Sequence, residues 1–245
     1  DGGRLKPYGP RFASRMADMP SESRSVSPPQ KNSQLPLPED QGEAASETTD
    51  GDESRSEAGL VEIGWIVYDN LDEVDQQAIA TARKDFLSVL EQRLPEFRWR
   101  ITLETREAPV EPDQREAAEY LTWARTQRDI RHWDYVIFFV RPDLRARSRP
   151  HAWAFISRSI DSAVVSTARI DTRADDPGSD ADARTALLSR RLKTLALRCL
   201  GHLVGLAEVD AEGNVMNNVS NLDELDKAAR LSTDQIDQFR QQLER

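Results

Sequence analysis

Two short, almost wholly apolar runs constrain this chain most. Leu60-Val61-Glu62-Ile63-Gly64-Trp65-Ile66-Val67-Tyr68 carries one charge, and Tyr135-Val136-Ile137-Phe138-Phe139-Val140 carries none. Runs of this length without polar alternation read as strands buried on both faces, and such strands need helices above and below the sheet. The segments between them supply helical spacing. Ile79, Ala82, Phe86, Val89 and Leu90 predict a helix over residues 71–93, capped by Asp69-Asn70 and stopped before Pro95, while Ala117, Tyr120, Leu121 and Ala124 predict a second over 113–130. Residues 97–105 alternate, with Phe97, Trp99, Ile101 and Leu103 on one side, which predicts a half-buried strand near an edge. Strand, helix, strand, helix, strand implies right-handed crossovers and an α/β fold on a mostly parallel sheet.

The rest of the chain extends that frame. Residues 152–156 and 163–170 read as two further strands, followed by an Asp-rich linker over 172–183 that is expected to be mobile. A long helix is predicted from about Asp182 to about Leu206, with Leu188, Leu192, Leu195, Ala196, Cys199 and Leu203 as its apolar stripe. A short helix opening at Asn221 or Leu222 should run toward Arg230. Ser232-Thr233 then cap a closing helix that places Ile236, Phe239 and Leu243 on one side. Residues 1–58 lack apolar periodicity and are rich in Pro, Ser, Gly and acidic residues, so the predicted division is a disordered polar tail over 1–58 and one folded domain over 59–245. The tail is polarised, basic up to Lys31 and acidic beyond it, and is read as a solvated tether.

A formal net charge of -10 argues against nonspecific nucleic-acid binding, which needs clustered Lys and Arg. No apolar run is long enough to span a membrane and no signal peptide is visible, so no membrane association and a cytoplasmic protein are expected; the chain begins at Asp1, which leaves an upstream targeting segment open. Cys199 is the one cysteine, so an intramolecular disulfide is impossible.

The chemistry-bearing stretch is L-A-L-R-C-L-G-H-L-V-G-L-A-E-V-D-A-E-G-N-V-M, residues 195–216. His202 lies on the long helix, Gly205 stands where a helix can end in the left-handed conformation, and the chain returns through an acidic loop to Met216. A zinc hydrolase of the H-E-x-x-H-x-x-G-x-x-H type has this layout, and in its register the positions are Arg198, Cys199, His202, Gly205 and Glu208. The G-H-L-V-G-L core, the following V-M-N and Ser220-Asn221-Leu222-Asp223-Glu224-Leu225-Asp226 resemble the end of an archaemetzincin, a branch of the metzincin metalloproteases, over residues 192–231. The resemblance implies a metzincin-like twisted, mostly parallel sheet packed with helices, with a zinc-helix equivalent followed by a Met-turn at Met216 and C-terminal helices. It also implies zinc and peptide hydrolysis.

The site positions depart from that pattern. Arg198 replaces the first zinc-ligating histidine, and a guanidinium has no lone pair for a metal; it is expected to pair with a carboxylate such as Glu208. Cys199 stands at the catalytic glutamate, where a thiol cannot simply replace a carboxylate base, and it is expected to be buried in the helix stripe. His202 keeps the second ligand position, Glu208 could serve as the third, and Asp210 and Glu212 are near enough to substitute. His132 and His151 fall at no ligand spacing from His202. Asp69-Asn70-Leu71-Asp72-Glu73 after the first strand would repel a phosphate. The expectation is therefore a protease homologue that holds no metal, cuts nothing and binds a protein or peptide. Two alternatives stand beside it: an active metallohydrolase using His202 with Glu208, Cys199 or Asp210, and a scaffold that recruits partners through the tail.

Overall fold

The computed structural model describes residues 59–68, 71–107, 116–146, 149–171 and 180–245, all within one unit over 49–245. The expectations for residues 1–58 and for most of the Asp-rich linker lie outside the described residues. Strand β1 (Leu60–Tyr68) leads through helix α1 (Glu73–Arg93) to β2 (Arg98–Arg106), and α2 (Ala117–Arg131) returns the chain to β3 (Tyr135–Val140). Then come β4 (Leu144–Ala146), β5 (Arg149–Ala152), β6 (Ala154–Ser157), a 3-10 turn at Arg158–Ile160 and β7 (Ser162–Ser166). Helices α3 (Ala181–Val204), α4 (Leu222–Lys227) and α5 (Thr233–Leu243) complete the chain.

The main sheet has five strands in the order β2-β1-β3-β7-β6. β2, β1, β3 and β7 run parallel, and β6 is antiparallel to β7, pairing Ala154 with Val165 through Ser157 with Ser162. The fold class is thus the expected α/β arrangement on a mostly parallel sheet. The mainly apolar β1 and the all-apolar β3 are interior strands, while the alternating β2 is at one edge, as its pattern predicts. Successive side chains of β3 face opposite layers. Phe138 stacks 4.8 Å from Trp123 of α2, whereas Phe139 meets Trp65, which in turn lies 5.2 Å from Phe86 of α1. Gly64 interrupts β1 for a steric reason: a Cβ there would lie 1.9 Å from the Trp133 ring.

Several boundaries differ from the sequence reading. The N-cap of α1 is Asp72, whose Oδ1 accepts from the Asp75 amide at 2.8 Å, rather than Asp69-Asn70. Strand β7 stops at Ser166 because the Ile170 and Asp171 amides fold back onto the Thr167 carbonyl. The β4–β5 hairpin is absent from the sequence reading, since R-P-D-L-R-A-R-S-R-P alternates only over L-R-A-R and has no apolar run. Helix α4 ends at Lys227 because Ala229 and Arg230 turn to bond the Gly213 carbonyl.

Helix α3 packs along α1 and is tied down over its first half by ionic contacts. Arg184 pairs with Asp171 and with Asp72 at 3.2 Å. Arg191 makes two hydrogen bonds to Asp226 of α4, at 2.9 and 2.7 Å, and a third to the Ile170 carbonyl at 2.6 Å. Beside this cluster Asp75 is buried, with Thr167 Oγ1 donating to Oδ2 at 3.4 Å and Oδ1 lacking a hydrogen-bond partner among the described residues. Burial, reinforced by the neighbouring Asp72 charge, raises the Asp75 carboxyl to about 6.

Candidate functional site

The second half of α3 is apolar on nearly every side: Leu195, Ala196, Leu197, Cys199, Leu200, Leu203 and Val204 are all buried. Arg198 and His202 are the side chains of that stretch left partly open, four residues apart and therefore on one face. They form the floor of a cleft of about 390 Å³. One wall is Trp153 with Ala154 and Ile156 of β6, the edge strand of the sheet; the other is Asn218-Val219-Ser220, with Glu208 and Arg169 at the rim.

The helix end is built to turn the chain back under this face. Gly205 takes φ 97°, and its amide and that of Leu206 close onto the His202 and Gly201 carbonyls. A Cβ at Gly205 would meet the Arg158 guanidinium at 2.5 Å, so the glycine serves a close approach as well as a positive φ. Returning, the chain places Met216 directly on α3, where a Cβ at Gly201 would lie 2.6 Å from its sulfur. The Met216 amide donates to Asn214 Oδ1 at 2.8 Å, and Asn214 in turn donates to Gln235 Oε1 of α5 at 2.8 Å, so the turn is pinned by side chains from outside it.

Arg198 spans the cleft floor. Its Nη1 donates to the carbonyls of Asn217 and Val215, and its Nη2 donates to Glu208 Oε1 at 2.6 Å. The ion pair suggested by their spacing in the sequence is therefore present. His202 Nε2 lies 3.8 Å from the same Glu208 oxygen. Burial, then the Arg198 charge, lower the imidazole below its ordinary value, which keeps it neutral at pH 7. Burial also pulls the Arg198 guanidinium down, against the attraction of Glu208.

The other sequence-derived candidates do not join this group. Cys199 is completely buried, and desolvation pushes its thiol up to about 12, so it is a packing residue of the stripe with no thiolate to offer. Asp210 is exposed, and Glu212 pairs with Lys227 at 2.9 Å. His132 closes α2 in the left-handed conformation, and His151 belongs to β5. Among the described residues no three His, Cys, Asp or Glu side chains converge on a point that could hold a metal ion. Sequence reasoning missed Trp153, Ile156 and Arg169, which reach the cleft from elements remote in the chain. Only the edge position of β6 would have pointed to them.

No family profile matches the sequence, and no curated protein matches it. Solved structures do. An archaemetzincin from Methanopyrus kandleri superposes with a TM-score of 0.61 at 20% identity, over 76% of this chain and 97% of that one. A zinc-dependent peptidase from Methanocorpusculum labreanum superposes with a TM-score of 0.56 at 17% identity, over 72% of this chain and 99% of that one. The fold is archaemetzincin-like. That assignment accounts for the order of α3, the turn at Met216 and the short α4, all of which the resemblance implied. No helix among the described residues is long and apolar enough to cross a membrane.

Proposed function

We propose that this archaemetzincin-like domain binds an extended peptide in the cleft beside α3 and does not hydrolyse it. The observation that carries the reading is Arg198. Its guanidinium occupies the face of α3 where the family's first zinc-ligating histidine would stand, and it holds Glu208, the residue at the third ligand position. A metal there would face a fixed positive charge and find His202 as its one neutral nitrogen donor. The glutamate that would activate water is replaced by Cys199, buried and protonated. The donor set therefore does not fit a zinc centre of the family type, and no hydrolytic step is routed through one.

Peptide binding is supported by the setting of the cleft. β6 is an edge strand, so an extended chain can add to it through main-chain hydrogen bonds while Trp153, Ile156 and Val219 give apolar contact. The test is hydrolysis of a mixed peptide library by the purified chain, with zinc added and with a chelator. No cleavage in either condition is expected, together with retention of a subset of the library. Chelator-sensitive turnover would overturn the reading.

A second reading is favoured by one contact, the 3.8 Å approach of a neutral His202 to Glu208. An altered metal site could start from that pair if Glu208 left Arg198. It would still lack a third donor among the described residues.

A further inference from the structure

The cleft contains a cationic centre that is filled by the protein's own carboxylate. Arg198 Nη2 donates to Glu208 Oε1, and His202 Nε2 stands beside the same oxygen. Glu208 is an exchangeable occupant for two reasons. It belongs to no helix or strand, and its side chain is 53% exposed where that of Arg198 is 14% exposed. An exposed carboxylate contributes little by pairing, because water and salt compete for it. Arg198 does not depend on it for its orientation, since Nη1 is held by the Asn217 and Val215 carbonyls. Departure of Glu208 would leave a pre-aimed, half-buried guanidinium needing an acceptor.

The surroundings reinforce the preference. Arg169 brings a second guanidinium to the rim, held by two hydrogen bonds to Asp143 at 2.8 and 2.7 Å. Trp153, Ala154, Ile156 and Val219 also line the cleft and offer a ligand apolar contact, beside the polar side chains of Asn218 and Ser220. A planar guanidinium in such a setting selects a carboxylate over a neutral amide. We infer that the cleft takes the carboxylate of an extended peptide, which replaces Glu208 on Arg198 while the peptide main chain lies along β6. This deepens the peptide-binding reading and rests on it. The carboxylate can be a chain terminus or an acidic side chain.

Calorimetric titration of the full chain with three acetylated tetrapeptides tests this. One is apolar with a free C-terminal carboxylate, the second is its amide, and the third is the amide with one glutamate introduced. One of the two carboxylate peptides should bind roughly tenfold or more tightly than the neutral amide, and which one does so identifies the source. Glu208→Gln, at an exposed position, should tighten the preferred carboxylate peptide severalfold more than it changes the affinity for the neutral amide. Arg198→Gln should abolish the preference. Equal affinity for all three peptides would overturn the carboxylate assignment while leaving peptide binding intact. Unchanged affinity in Glu208→Gln would overturn the displacement of Glu208. No binding by wild type or by Glu208→Gln would overturn both this inference and the peptide reading.

Discussion

Arg191 and Arg198 lie two turns apart on the same helix, and each is paired with a carboxylate further along the chain. Arg191 is 6% exposed, and its partner, Asp226, sits on α4 and takes two hydrogen bonds while the Ile170 carbonyl takes a third. The contacts join α3 to α4 and to the turn that follows β7, so the arginine acts as a rivet. Arg198 has the same chemistry with a different division of labour. One nitrogen is fixed by main-chain carbonyls, and the other meets Glu208 in an exposed loop. A pair whose cation is buried and whose carboxylate is 24% exposed locks α3 to α4, whereas the Arg198 pair, with its carboxylate 53% exposed, leaves one face of α3 able to change partners. Burial of the partner, more than the identity of the cation, separates structure from site.

The largest effect expected from this difference is at the rivet. Arg191→Met would leave the buried Ile170 carbonyl without its donor and Asp226 with Arg190, 3.3 Å away, as its remaining cation, and should lower the unfolding free energy by about 2–3 kcal/mol, measured by urea denaturation. Arg198→Met removes hydrogen bonds to two carbonyls but leaves Glu208 in water, so a loss of roughly 1–2 kcal/mol is expected. Equal losses at the two sites would erase the distinction between them. Asp75, next to the rivet region, should make stability depend on pH. Its carboxyl is raised in the folded chain, so the native state holds a proton that the unfolded chain has already released. Stability should therefore fall as pH rises from about 4 through about 6, by on the order of 1–2 kcal/mol, and Asp75→Asn should flatten that slope in thermal melts. Smallest is Glu208→Gln, expected to change stability by under about 0.5 kcal/mol while altering what the cleft binds.

Much of this was legible in the sequence because it depends on local pattern. The apolar runs of β1 and β3, the alternation of β2 and the stripe of α3 each state their own environment, and Gly205 marks a helix end by its conformational freedom. The Arg198–Glu208 pair was legible too, being ten residues apart across one turn. What could not be read depends on distant neighbours. Asp226 finds Arg191 across 35 positions and Thr167 finds Asp75 across 92, and neither spacing leaves a trace in either segment. The Trp133 ring fills the place of a Cβ at Gly64 from 69 positions away, and nothing in either segment states that contact. The strand over residues 152–156 could be read, but its place could not: that β6 lies antiparallel at the sheet edge and carries Trp153 to the cleft depends on its pairing with β7 and on the distant α3.

On the proposed reading, Arg198 stands in the place of a metal in an archaemetzincin-like fold. Zinc content per chain, measured on protein purified without chelator and again after dialysis against a modest chelator, tests it most directly. The account predicts zinc near zero in both samples from a chain that melts cooperatively. About one zinc per chain surviving dialysis would contradict it, because a site that tight needs ligands that the Arg198 face of α3 does not supply.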